Sequence, residues 1–191
     1  MTKFFGNLHA VLAVGLVAAI AMMLHFSGTT PVDANSVLRW THVFFGILWI
    51  GLLYYLNFVQ VPTMPAIPAE QKPAIIGHIA PKVFFFFRYA ALLTVLTGLG
   101  VAYVSGYLHE AMSLSSPNEK VHLIGVGMWL ALIMAFNVWF IIWPAQKKVL
   151  GIIEATAEEK AKAAPRALIA SRTNLLLSLP MLYAMALANL G

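Results

Sequence analysis

Residues 121–144, VHLIGVGMWLALIMAFNVWFIIWP, contain no Asp, Glu, Lys or Arg. As an α-helix this run is about 36 Å long at 1.5 Å per residue, enough to cross the ~30 Å hydrocarbon layer of a bilayer. Four comparable runs fall at about 5–27, 39–60, 83–106 and 173–190. The chain is 61% hydrophobic and 10% charged, with mean hydropathy +0.83. Soluble domains carry about 25% charged residues, so water is not the main solvent here. Lipid offers the backbone no hydrogen-bond partner, so each span must satisfy its own N–H and C=O groups as a helix. The sequence therefore predicts an all-α polytopic bundle of five transmembrane helices forming one membrane domain over residues 1–191. The first run follows Lys3 and exceeds the ~7–15 apolar residues of a signal peptide, so it is expected to be a retained helix.

The net charge of +5 and isoelectric point near 9.6 do not point to nucleic acid, because the charges are sorted by side. With the N-terminus inside, only Arg39 and Lys120 of the 12 basic residues fall outside. That is the positive-inside pattern. It predicts a bacterial inner-membrane protein with a cytoplasmic N-terminus and a periplasmic C-terminus. Absence of cysteine from these 191 residues excludes disulfides, thiolate metal sites, iron–sulfur clusters and covalent c-type haem within them.

Between the spans, VPTMPAIPAEQKPAIIGHIAPK carries five prolines and is expected to be an irregular crossing that no single helix could form. The Ala-, Glu- and Lys-rich stretch AQKKVLGIIEATAEEKAKAAPRALIASR is expected to contain an exposed amphipathic helix.

A pattern occurs twice. His42 is followed by Trp49 at +7, Asn57 at +15 and Pro62 at +20, and His122 by Trp129 at +7, Asn137 at +15 and Pro144 at +22. The next spans match more loosely, RYAALLTVLTGLG from Arg88 beside RTNLLLSLPMLYA from Arg172. A two-helix unit used twice explains this, and two crossings return the chain to its starting side, so the copies would be parallel. At ~100° per residue, +7 returns to within ~20° of the same face and +15 to within ~60°, which makes His, Trp and Asn one stripe on each helix. If both stripes face the pseudo-axis, His42 and His122 form an axial ligand pair for haem b. Gly46 and Gly125, one turn inward, would let the macrocycle approach the backbone. Arg39, one turn before His42, would meet a propionate. Trp49 and Trp129 are cofactor contacts in this reading and packing residues otherwise. Asn57 and Asn137 are expected to hydrogen-bond between helices. Trp139 and Trp143 are expected to anchor the chain at the interface.

At the inner side, His78, Arg88 and Arg172 form a candidate pocket for a quinone headgroup, a propionate or an anionic substrate; otherwise the arginines snorkel. His9 and His78 are candidates for a second haem. His25 and His109 read as solvated outer residues, although His25 with Met22 and Met23 could bind copper, which imidazole and thioether suit.

The stretches LRWTHVFFGILWIG, HIAPKVFFFFRYAALLTVLTG, NVWFIIWPAQKKVLG and SRTNLLLSLPMLYAM resemble the membrane domain at the N-terminus of bacterial urate hydroxylase, the urate oxidase N-terminal family. The resemblance covers roughly residues 36–190, with SRTNLLLSLP and IWPAQKK its most specific parts. More distantly, the opening of the second span is similar to the copper-resistance D and protoporphyrinogen oxidase J-type membrane families, and the latter implies haem b on such helices. The resemblance thus implies an inner-membrane redox module. Longer members of the family add a cytochrome c domain. This chain has FFFFRYAALLTVLTG where the family carries an acidic, Trp-rich third span, and all its carboxylates lie in loops, so urate chemistry is not expected.

The reading is a cytochrome b-like electron-transport protein binding haem b and working with other membrane or cytochrome subunits, with quinol a possible donor. The alternatives are an oxidase acting on a planar anionic heterocycle or porphyrinogen, a copper-handling protein, and a cofactor-free accessory subunit.

Overall fold

A computed structural model describes residues 2–29 and 32–189, and every regular element among them is helical. The chain divides into two compact units, 1–37 and 38–191. In the first unit, α1 (Leu8–His25) is capped by Asn7, whose side chain accepts from the Ala10 N–H, and it buries no residue. Asp33 and Ser36 exchange hydrogen bonds between their side chains and backbone N–H groups, the reciprocal pattern that starts a helix. Those bonds from Ser36 hold the Asp33 carboxyl below the usual carboxylate range.

The second unit is built from α2 (Ala34–Tyr54, which begins in the first unit), α3 (Ala80–Val104), α4 (Leu108–Ser113), α5 (Glu119–Phe136), α6 (Trp143–Val149) and α7 (Ala157–Asn189). Three π-helical segments, Tyr55–Gln60, Ile75–Ile79 and Asn137–Ile142, interrupt the α geometry. All three end two residues before a proline. Val61, Ala80 and Trp143 each donate five residues back, to Leu56, Ile75 and Val138, just before Pro62, Pro81 and Pro144. A proline ring collides with the carbonyl four residues earlier, and a wider turn relieves the collision without ending the helix.

Four helical stretches are long and apolar enough to cross a membrane by length and composition: Leu8–His25, Ala34–Ala66, Lys72–Val104 and Glu119–Val149. The fifth run, 173–190, is not among them. The run extends past the described residues, and its described part belongs to α7, where the expected loop helix continues without a break through Pro165. The proline-rich crossing is a series of short turns, Val61–Thr63, Met64–Ala66 and Lys72–Ala74, before the second π segment.

The core is formed where Trp49 and Leu53 of α2 and Phe84, Phe87 and Ala91 of α3 meet Met134 of α5 and Met181 of α7. Polar bridges add direction. The Asn57 amide donates to the Leu53 carbonyl at 2.9 Å and to the Ser171 hydroxyl at 3.0 Å. Asn137 donates to Asn174 Oδ1 at 2.9 Å, and Asn174 donates to the Met134 carbonyl at 3.0 Å. Both asparagines expected to join helices thus bond to α7. Because Asn174 is fully buried, Asn174→Ala leaves the Asn137 amide without its acceptor, a loss of about 1–3 kcal/mol. Thermal unfolding in detergent should show the midpoint fall; an unchanged midpoint would mean that the amide pair contributes nothing.

Candidate functional site

His42 sits on α2 eight residues after its start, on the face that also carries Gly46 and Trp49. Its Nδ1 lies 2.9 Å from the Thr94 carbonyl and 3.3 Å from Thr97 Oγ1. A carbonyl can only accept, and the Thr97 hydroxyl already donates to the Leu93 carbonyl at 2.6 Å, so Nδ1 carries the proton. The lone pair is left on Nε2. This second partner is what orients a histidine for iron or another metal.

Gly98 makes the bond possible. A Cβ there would lie 2.7 Å from His42 Cε1 and 3.1 Å from Nδ1. Gly98 is one turn beyond Thr94, so its bare backbone opens the Thr94 carbonyl to the imidazole.

Two cavities meet at His42 and share Val43, Gly98, Met128 and Met185. The inner one, ≈ 210 Å³, reaches past Gly46 to Trp49 and is closed by α5 and α7 through Ala131 and Met181. The outer one, ≈ 330 Å³, reaches Arg39 and Tyr107. Taken together, the two volumes fall within the ~300–1,000 Å³ of small-molecule and cofactor sites. Burial pushes the Tyr107 phenol above its ordinary pKa, with Arg39 acting in the opposite sense, so Tyr107 is a proton donor at neutral pH. Trp49 is 0% exposed, and its Nε1–H has no acceptor among the described residues.

His122 is not brought to this site. It is exposed and lines neither cavity, and Trp129, seven residues on, is 42% exposed and donates to the Met112 carbonyl at 2.9 Å. The expected stripe is broken: His122 and Trp129 point away from the cavities, whereas Asn137, its third member, is buried against α7. At ~100° per residue, His122 and Trp129 lie about 140–160° from the buried line through Ile124, Met128 and Ala131. Gly125, expected to clear space for a macrocycle, instead faces the Ala111 backbone. Gly46 does border the inner cavity, where a Cβ would meet nothing closer than Thr94 Cγ2 at 3.9 Å.

The inner-side candidates do not converge on either cavity. His78 and Arg172 are exposed, whereas Arg88 is buried against aromatic rings. His9, His25 and His109 are exposed, and no cluster of three or more His, Cys, Asp or Glu is present among the described residues. Five contributors were not anticipated: Thr94 and Gly98, which hold the imidazole, Met128 and Met185, which border both cavities, and Tyr107 beside the outer one. The Thr94-x-x-x-Gly98 spacing, a small-residue pair at helical contact distance, was the available signal.

For the haem b expected from the sequence, the fit is with one imidazole. His42 supplies an oriented Nε2, the walls are apolar, and a cation and a phenol stand at one end. The second ligand expected from His122 is absent from the cavities, but two methionines border both.

These features define a helical protein with segments long and apolar enough to cross a membrane and an imidazole-bearing apolar cavity between four helices. Residues 117–189, less than half of the chain, match the family model described as urate oxidase N-terminal, the family the sequence resembles. The match covers the α5 and α7 walls but not His42, Arg39 or Gly98. No curated protein and no solved structure matches the chain.

Proposed function

We propose that this chain is a five-span membrane protein that binds haem b through His42 and passes single electrons in the bacterial inner membrane. The observation that carries the reading is the Nδ1 bond from His42 to the Thr94 carbonyl, which leaves Nε2 unpartnered among the described residues beside the two cavities that His42 lines. Arg39 and Tyr107 would receive the propionates, and Met128 or Met185 would offer a thioether as the second axial ligand. When bound, the haem supplies a one-electron couple, and a methionine opposite histidine raises its potential. With both His42 and a methionine bound to the iron, the haem would be suited to electron transfer over oxygen chemistry. A quinol or a cytochrome subunit is the fitting exchange partner.

The fifth span would be the apolar half of α7, whose Asn174 and Ser178 are turned inward and fully buried. The two-helix repeat draws support from the backbone: a π segment, an inward asparagine and a proline recur after His42 and after His122. The orientation of the histidines does not follow it.

The test is an absorption spectrum of detergent-purified protein, oxidised and dithionite-reduced, from cells supplied with haem precursor. A reduced b-type α band is expected. A flat spectrum from folded protein would overturn the reading. Of Met128→Leu and Met185→Leu, the variant that removes the ligand should let the reduced haem bind carbon monoxide; the other should not.

Trp49 favours a second reading. Its unmet Nε1–H and the His42 Nε2 suit a quinol ring, which would accept from the indole and donate to the imidazole. The inner cavity somewhat exceeds the ~150 Å³ that takes one benzene. A flat spectrum with quinone in the solvent extract of the purified protein, reduced by Trp49→Phe, would select this reading.

A further inference from the structure

Arg88 is 9% exposed on α3, and its Nε has no hydrogen-bond acceptor among the described residues. Its guanidinium lies 3.4 Å from the Trp143 ring centroid, 5.6 Å from Trp139 and 5.5 Å from Tyr89. The cage is held in place: the Trp139 indole donates to the Arg88 carbonyl at 3.2 Å and meets Tyr89 edge-on at 5.7 Å. The two ion pairs among the described residues, Lys148–Glu159 and Lys162–Glu158, leave Arg88 without a carboxylate.

Aromatic faces stabilise a guanidinium but do not satisfy its N–H donors. An ion held out of water without a counter-charge is costly enough that buried charges occur paired. The arrangement is therefore complete only with an anion. Its surroundings say where the anion comes from. Phe85, Phe86 and Phe140, beside the cage in sequence, are 48%, 52% and 65% exposed, an apolar surface suited to acyl chains. Lys82 lies six residues before Arg88, and Lys147 and Lys148 follow Trp143 by four and five, which sets the cage at the basic border of the spans. Aromatic belts and basic pockets at that level meet lipid headgroups.

We propose that Arg88, stacked on Trp143 and Trp139, binds the phosphate of an anionic phospholipid in the leaflet on the Lys82 side. Arginine suits this role because its planar fork can stack on a ring and still present two donors to one phosphate. The site is independent of what occupies the His42 cavity and requires only that these helices cross a bilayer.

The experiment is native mass spectrometry of wild type and Arg88→Gln extracted from bilayers of mixed phosphatidylcholine and phosphatidylglycerol. Wild type should retain phosphatidylglycerol preferentially. Arg88→Gln should lose that preference about tenfold, the scale of one charge-assisted hydrogen bond. Arg88→Lys keeps the charge without the stacked fork and should fall between. If Arg88→Gln does not fold, the wild type alone decides, because its unfolding midpoint should be higher with phosphatidylglycerol than with phosphatidylcholine. Equal retention of the two lipids by wild type, or equal preference in Arg88→Gln, overturns the proposal. Displacement of the lipid by millimolar inorganic phosphate would overturn the lipid assignment and leave a soluble anion site.

Discussion

His42→Ala should abolish the b-type spectrum of the purified protein, while His122→Ala should leave it intact. The two histidines occupy equivalent places in the sequence pattern, so the contrast separates the spacing from the structure. His42 borders both cavities and is oriented by Thr94, whereas His122 is exposed and lines neither cavity. Gly98→Ala extends the test without removing the imidazole. The new methyl would stand 2.7 Å from Cε1, so the ring must turn and give up the 2.9 Å bond to the Thr94 carbonyl. Only the far end of a side chain is displaced, so stability should change little while haem retention falls. Weakening the partner of a metal-bound histidine typically lowers affinity about 10–100-fold. Titration of haem into apoprotein measures each variant directly. Loss of the spectrum in His122→Ala, with His42→Ala unaffected, would refute the assignment.

How far the sequence could reach is set by the solvent. Nearly charge-free runs mark candidate spans because a bilayer penalises charges, and the buried asparagines could be anticipated because a polar amide in lipid seeks a partner. Rotation about the helix axis is different. In water an apolar stripe marks the inner face, but α5 is apolar all round and gives no such contrast. His122 and Trp129 looked like an inner stripe only because His42 and Trp49 form one. The readable sign on α5 was the small residues Gly125, Gly127 and Ala131, which permit close helix approach. Partners distant in sequence were also out of reach. Arg88 meets Trp139 and Trp143 more than fifty residues away, and nothing local in FFFFR indicates that it stacks instead of reaching water. The prolines were more informative than expected. Pro62, Pro81 and Pro144 each follow a π segment, so a residue type read as a helix stop acts here as a local widening.

Gly125→Ala should be the most destabilising of the glycine substitutions in the second unit. A Cβ there would press on the Ala111 carbonyl oxygen, with the carbonyl carbon and Leu114 Cδ2 each at 3.0 Å. The oxygen belongs to backbone that cannot move alone. It accepts from Leu114 N at 3.3 Å, where α4 ends in a left-handed residue with φ 52°, while Met112 next to it accepts from the Trp129 indole. Relief requires α4 to separate from α5 as a body. Overpacking of this kind usually costs about 1–3 kcal/mol, and a backbone obstacle places it at the upper end. The displacement should also reach the ligand site. Tyr107 immediately precedes α4 and borders the outer cavity with Arg39, so haem affinity should fall along with the unfolding midpoint. Gly46→Ala is the control. It adds the same methyl to a cavity-lining position with 3.9 Å of clearance, so the midpoint should hold. Equal midpoints for the two variants would mean that α4 is not seated on Gly125, and the outer wall of the cavity would then need another support.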